Sequence, residues 1–211
     1  YTTPSQLADH EWDSSPKPDD SSESRELDSA QRGRAATQLG SAVHQVLQDL
    51  NFDDPSEIGV LVRSAKEAYE LDVEPEIIEQ KIRNVLEAPS LQKISEANCI
   101  HEAWIAAEIE TGVELEGAVD LLIRHEDDSF TIVDFKTDRV SGQELEKRAE
   151  IYAPQLGGYA LILESLRMNV ADAILIFSDG GEDGGYREFK IADLDSAKRQ
   201  ALTEAKTRLG I

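Results

Sequence analysis

Residues 115–138, LEGAVDLLIRHEDDSFTIVDFKTD, constrain the fold of this chain more than any other stretch. Two apolar runs, AVDLLIR and FTIVDFK, flank the polar turn HEDDS, which is the pattern of a β-hairpin. Strand alternation sets Ile132, Asp134 and Lys136 on one face, and Thr131, Val133 and Phe135 on the other. The first strand carries an acid of its own, Asp120, among Ala118, Val119, Leu121, Leu122 and Ile123. Carboxylates inside apolar strands are costly unless something offsets their desolvation. One reading makes Asp134 and Lys136 a buried ion pair of an ordinary sheet, or sets the acids on a solvated face. The other places a divalent cation beside Asp120 and Asp134. Hard oxygen ligands on rigid strands, with water completing the shell, suit Mg²⁺ or Mn²⁺.

The rest of the chain supplies the other layers. AATQLGSAVHQVLQDL, residues 35–50, reads as a helix whose apolar face is Leu39, Val43, Val46, Leu47 and Leu50, with His44 at its border. Gly40, one turn before His44, has no side chain to block access. Residues 57–72 and 75–88 read as two packing helices, the second opening at Pro75 and closed by Pro89. HEAWIAAEIETG, residues 101–112, reads as a strand leading into the hairpin. Because proline is tolerated in a first turn, the helix after the hairpin is expected from Pro154 to about Leu166. Gln155 and Tyr159, four apart, share a face of it. Gly157 and Gly158 inside this helix fit a close backbone approach to nucleic acid or to the hairpin. ADAILIFSD and YREFKI read as two further strands around the turn GGEDGG. A last helix follows, capped by Asp193 or Asp195 and ended by Gly210. Helices, three strands, a helix, two strands and a helix make an α/β chain with a mixed central sheet. Residues 1–35, rich in Ser, Asp, Glu and Pro, read as an acidic arm or linker, with Leu7, Trp12 and Leu27 able to anchor it.

Composition bounds the function. No apolar run reaches the roughly 18 residues of a membrane span, and the first residues have neither the basic nor the apolar region of a signal peptide. The start without Met suggests a segment of a longer protein. A single cysteine, Cys99, excludes an internal disulfide and a four-cysteine zinc or iron–sulfur site, and fits a reduced cytoplasmic setting. The net charge is −22, from 43 acidic against 21 basic residues, nine of them lysine. Phosphate binding ordinarily calls for a basic surface. Acidic, lysine-poor surfaces belong to halophilic proteins; alternatively, a tethered motor delivers DNA at high local concentration.

Asp120 followed by Asp134-Phe135-Lys136 resembles the PD-(D/E)xK nuclease signature, in which an acid and a lysine stand one residue apart. GAVDLL and IVDFKTD resemble, more closely, the RecB/AddA-type nuclease domain carried by UvrD/RecB-like DNA helicases. GSAVHQVL is similar to that family's first motif, a small residue followed by a helical histidine, and QLGGY to its Q-x-x-x-Y motif. The resemblance spans roughly residues 40–160, and it implies a restriction-endonuclease-like core with an N-terminal helical part over residues 36–211. It implies a Mg²⁺- or Mn²⁺-dependent deoxyribonuclease, an exonuclease of the RecB/AddA type, without an iron–sulfur cluster. The metal would be held by His44, Asp120, Asp134 and the Phe135 backbone carbonyl, with Lys136 catalytic. Gln155 and Tyr159 would orient that lysine or touch the substrate backbone. Glu102, where the family often has a strand-opening glutamate, would approach the site or remain a solvated acid. Implied partners are single-stranded DNA or unwound duplex ends, and helicase domains of the same chain or complex acting in double-strand-break processing and recombinational repair. No Walker-type motif occurs, so this segment carries no motor. Two other readings stay open: a silent nuclease-fold scaffold that guides DNA, and an acidic protein-interaction domain.

Overall fold

The computed structural model describes residues 2–3, 23–92, 94–138, 142–181 and 184–211. In chain order the elements are α1 (Glu23–Asp49), α2 (Ile58–Ala68), α3 (Pro75–Leu86), β1 (Cys99–Glu110), β2 (Val113–Arg124) and β3 (Ser129–Lys136). They continue with α4 (Gln143–Ser165), β4 (Asn169–Phe177), β5 (Arg187–Lys190) and α5 (Leu194–Leu209). The sheet runs β1-β2-β3-β4-β5. Its pairs are antiparallel except β3–β4, which is parallel. A parallel pair needs a crossover, and α4 supplies it.

Alternation along the strands feeds two cores. Val133, Phe135, Ile174 and Ile176 pack against Val43, Leu47, Ile78 and Ile82 of the first three helices. Ile132, Leu175 and Phe177, one residue out of phase, pack against Leu156, Ala160 and Leu163 of α4 on the opposite face. The expected mixed sheet between helical layers is the architecture observed, and it is the restriction-endonuclease-like α/β fold. Among the described residues no helix is long and apolar enough to cross a membrane.

Local departures from the sequence expectation have identifiable causes. Helix α1 opens at Glu23 instead of near Ala35, because Glu, Arg, Leu, Gln and Ala between them favour helix. Leu7 and Trp12 lie outside the described residues. Among the described residues of that region, Thr2 is placed at the sheet: it exchanges backbone bonds with Glu114 and Glu116 along the free margin of β2, both at 3.4 Å. Helix α4 starts eleven residues before Pro154 and carries the proline in its interior. A mid-helix proline costs about 3 kcal/mol. Leu145 and Ala149 before it, and Leu156, Ala160 and Leu163 after it, are buried in one core, and their packing outweighs that cost.

The close approach that Gly157 makes is to α5 rather than to the hairpin. A Cβ there would lie 2.3 Å from the Ala197 carbonyl carbon, so the glycine lets α4 and α5 touch backbone to backbone. Helix α5 is capped by Asp193, whose carboxylate accepts from the Ser196 amide at 2.8 Å, and ends on Gly210 at φ 73°. Asp193→Ala is expected to cost about 1 kcal/mol, a fall of roughly 2–4 °C in melting temperature. A thermal melt by circular dichroism checks this.

The packing helices also hold a polar network that their sequences did not announce. Lys81, 2% exposed, pairs with Asp179, and Asn84 donates to the carbonyls of Ser178 (2.7 Å) and Gly184 (2.9 Å). These bonds tie α3 to the β4–β5 turn.

Candidate active site

The β2–β3 ladder runs from Arg124↔Phe130 to Leu121↔Val133 and stops. The β1–β2 ladder passes from His101↔Leu121 to Ala103↔Val119, skipping the pair between them. That pair is Glu102 and Asp120, and Glu102 takes a φ of 45°, which is uncommon for a residue with a side chain. Val119 packs into one core and Leu121 into the other, so the faces of β2 change over at Asp120. The freed backbone is served by the acid itself: the Phe135 amide donates to Asp120 Oδ2 at 2.7 Å. Asp120 Oδ1 lies 3.2 Å from His44 Nδ1 on α1. Gly40 allows that helix to approach the end of β3, since a Cβ there would stand 3.1 Å from Thr137 Oγ1.

Asp134 is 2% exposed, and Lys136 Nζ stands 2.7 Å from its Oδ2. The contact is an ion pair rather than a directed hydrogen bond, because no donor among the described residues is aimed at that oxygen. Burial, with the Asp120 charge adding to it, pushes the Asp134 carboxyl up to about 6 against the pull of Lys136. Burial also raises Asp120, but the His44 and Lys136 charges and the Phe135 amide prevail and hold it below the usual range. Burial opposes a charge on His44, yet Asp120 and Asp134 outweigh it and hold the imidazole at about 9. Glu102 is raised by burial and by Asp120.

Lys136 is fixed from behind. Its ammonium donates to Gln155 Oε1 at 2.9 Å, and Gln155 Nε2 donates to the Tyr159 hydroxyl at 3.1 Å. Gln155 and Tyr159 are 6% and 2% exposed; Gln155 meets the lysine, and Tyr159 meets Gln155. The Tyr152 ring lies under the same ammonium, 4.1 Å from Nζ to its centroid, and its hydroxyl donates to Asp138 at 3.0 Å. Sequence reasoning missed Tyr152 and Asp138. The signal was present: Tyr152, Gln155 and Tyr159 follow the 3–4 spacing of one helical face.

The ligand atoms of His44, Glu102 and Asp120 lie within 4.8 Å of one another. The triad brought together is therefore His44, Asp120 and Glu102, with Asp134 beside it on Lys136. Phe135, whose carbonyl the resemblance makes a ligand, stands between Asp134 and Lys136 in the chain. One imidazole and three carboxylates suit a hard divalent cation. The buried Asp134 oxygen without a directed donor is a position such a cation or its water would complete. The site opens on a cleft of about 600 Å³ lined by Leu39, His44, Lys81, Lys136, Asp138 and Tyr152. A larger one, about 1060 Å³, lies between α4, β5 and α5 beside Pro154 and Phe189 and contains none of these groups.

A profile of the PD-(D/E)XK nuclease superfamily matches residues 21–209. An ATP-dependent helicase/nuclease polypeptide of Bacillus mycoides is 29% identical over 180 residues, covering 71% of this chain and 14% of that protein. Its counterpart from Carboxydothermus hydrogenoformans, also an ATP-dependent helicase/nuclease polypeptide, is 34% identical over 146 residues, covering 61% of this chain and 12% of its own length. This chain thus spans a small fraction of the curated relatives it matches. The crystal structure of SSO0001 aligns with 82% of this chain and 83% of its own at 16% identity and a TM-score of 0.39, too loose a likeness to bear on the site.

Proposed function

The chain belongs to the PD-(D/E)XK nuclease superfamily, and from that premise we propose that it is a divalent-metal-dependent deoxyribonuclease. In this reading it is the RecB/AddA-type exonuclease module of a helicase–nuclease that acts on DNA ends in the cytoplasm during recombinational repair. The observation that carries it is the convergence of His44, Glu102 and Asp120, with Asp134 beside them on a lysine held by two groups of α4. A scaffold or an interaction domain gives no reason to keep an acid buried where its carboxyl is pushed up to about 6.

His44, Asp120, Asp134 and the Phe135 carbonyl would hold Mg²⁺ or Mn²⁺, with Glu102 reaching it directly or through water. When bound, such an ion polarises the scissile phosphate and acidifies the attacking water. Lys136, a compact charge, positions that water and stabilises charge developing on the phosphoryl oxygens. Gln155 and Tyr152 keep the ammonium aimed, and Tyr159 keeps Gln155 aimed. A misplaced catalytic group costs about a hundredfold. Gln155→Leu is accordingly expected to lower kcat by tens- to a hundredfold while KM moves less than threefold. Steady-state kinetics on a DNA oligomer reads that split.

The proposal is tested by incubating the protein with linear single- and double-stranded DNA and Mg²⁺ or Mn²⁺, from low to molar KCl. Cleavage is expected with either ion and absent with chelator or in Lys136→Ala. A salt optimum near molar KCl would support a halophilic origin of the acidic surface. Equal cleavage by Lys136→Ala and wild type would remove the proposal.

A further inference from the structure

On β1 one row of side chains, Ala103, Ile105, Ala107 and Ile109, packs into the core beneath α4. The opposite row is bare. Trp104 stands there at 67% exposure, the most exposed large hydrophobic side chain among the described residues of the sheet. It pairs with Ala118 of β2, and Ala118 is two residues along the strand from Asp120, where the faces change over. Two strand residues amount to roughly 7 Å, so the indole lies within one nucleotide's reach of the candidate metal triad. The helices cover this face only from Leu121 onward, and the row turns bare where the site begins. Around the indole the exposed or half-exposed neighbours are Ala106, Glu108, Glu114 and Glu116. Such a surface repels phosphates and cannot follow a DNA backbone by charge.

We propose that Trp104 is a stacking platform for a nucleobase of single-stranded DNA next to the scissile phosphate; the proposal rests on the nuclease reading above. A nucleobase offers an uncharged π-face, which an indole takes without basic help. The acidic rim holds the flanking phosphates off, so the strand turns its base inward and its backbone toward the metal triad and Lys136. A duplex cannot use the platform because its bases are stacked on one another. The platform therefore selects unpaired strands, and it reconciles a charge of −22 with a nucleic-acid substrate.

The test uses the whole chain with Trp12→Phe, which leaves Trp104 as the single tryptophan. Its fluorescence is titrated in chelator with a thymidine oligomer, a blunt duplex and an arginine-rich peptide. The expected result is quenching by the single strand that persists in high KCl, with no response to the duplex. Trp104→Ala should weaken single-strand affinity about 5- to 100-fold, the range for loss of one base–aromatic stack, and Trp104→Phe should restore most of it. With Mn²⁺ added, kcat/KM on single strands should fall by the same factor in Trp104→Ala, with kcat unchanged. Unaltered affinity in that variant, absence of quenching, or quenching by the peptide alone would overturn the platform. Trp104-dependent quenching in a protein that does not cleave would support the platform and remove the nuclease reading alone.

Discussion

Asp134→Ala is expected to abolish cleavage, by a thousandfold or more, and to leave the fold intact. The carboxylate is 2% exposed and its Oδ2 lacks a directed donor. It therefore contributes little to stability in the absence of a cation. The isosteric Asp134→Asn sharpens the point. A carboxyl raised to about 6 in the folded protein, against an ordinary value near 3.9, makes the folded state less stable once ionised. That loss is absent below about pH 4, accumulates as pH rises through 6, and is full above it. Asp134→Asn should then be inactive yet melt a few degrees higher than wild type at pH 7.5 in chelator. At pH 4 the two should melt together. The Lys136 ammonium keeps Gln155 and the Tyr152 ring in the variant, so it is not left unpaired. A variant that melts well below wild type at pH 7.5 would show that the acid is a structural ion pair.

Gly157→Ala should be severely destabilising. The added methyl would meet the Ala197 carbonyl carbon at 2.3 Å and its oxygen at 2.4 Å. Both atoms belong to the backbone of α5, so no side chain can swing aside and the two helices must separate. Overpacking of this kind costs about 3 kcal/mol or more, a fall of roughly 10 °C, if the variant folds at all. Gly59→Ala is the matched control. Its methyl would be 3.6 Å from the Arg63 guanidinium, within α2, and a helical Gly→Ala exchange there should stabilise by about 0.5–1 kcal/mol. Melting curves of the two variants should move in opposite directions.

The hairpin was legible because two apolar runs flank a polar turn, and its acids because alternation sets Asp134 and Lys136 on one face and Asp120 stands inside an apolar run; the changeover of faces at Asp120 was not. Asp193 and Gly210 were legible as caps because their chemistry is local. What the sequence concealed depends on partners distant in the chain. Pro154 reads as a helix start until the burial of Leu145 and Ala149 on its N-terminal side is known. The role of Gly157 is set by a helix some 40 residues later. Glu102 enters the triad because both ladders break beside it and its backbone adopts a φ of 45°, which strand periodicity does not encode. Spacing put Gln155 and Tyr159 on one face but did not encode their partners: Gln155 meets Lys136, and Tyr159 meets Gln155. Lys81 reads as a surface lysine of an amphipathic helix until Asp179 is found facing it.

If His44, Asp120 and Asp134 form a divalent-metal site, and Lys136 serves chemistry instead of metal binding, the two roles separate in a binding experiment. Electron paramagnetic resonance of Mn²⁺ titrated into the protein measures this without any DNA. A bound ion is expected in wild type and in Lys136→Ala, with loss of binding in Asp120→Asn and Asp134→Asn. Wild-type protein that leaves Mn²⁺ free, or binding untouched by both aspartate substitutions, would contradict the metal site.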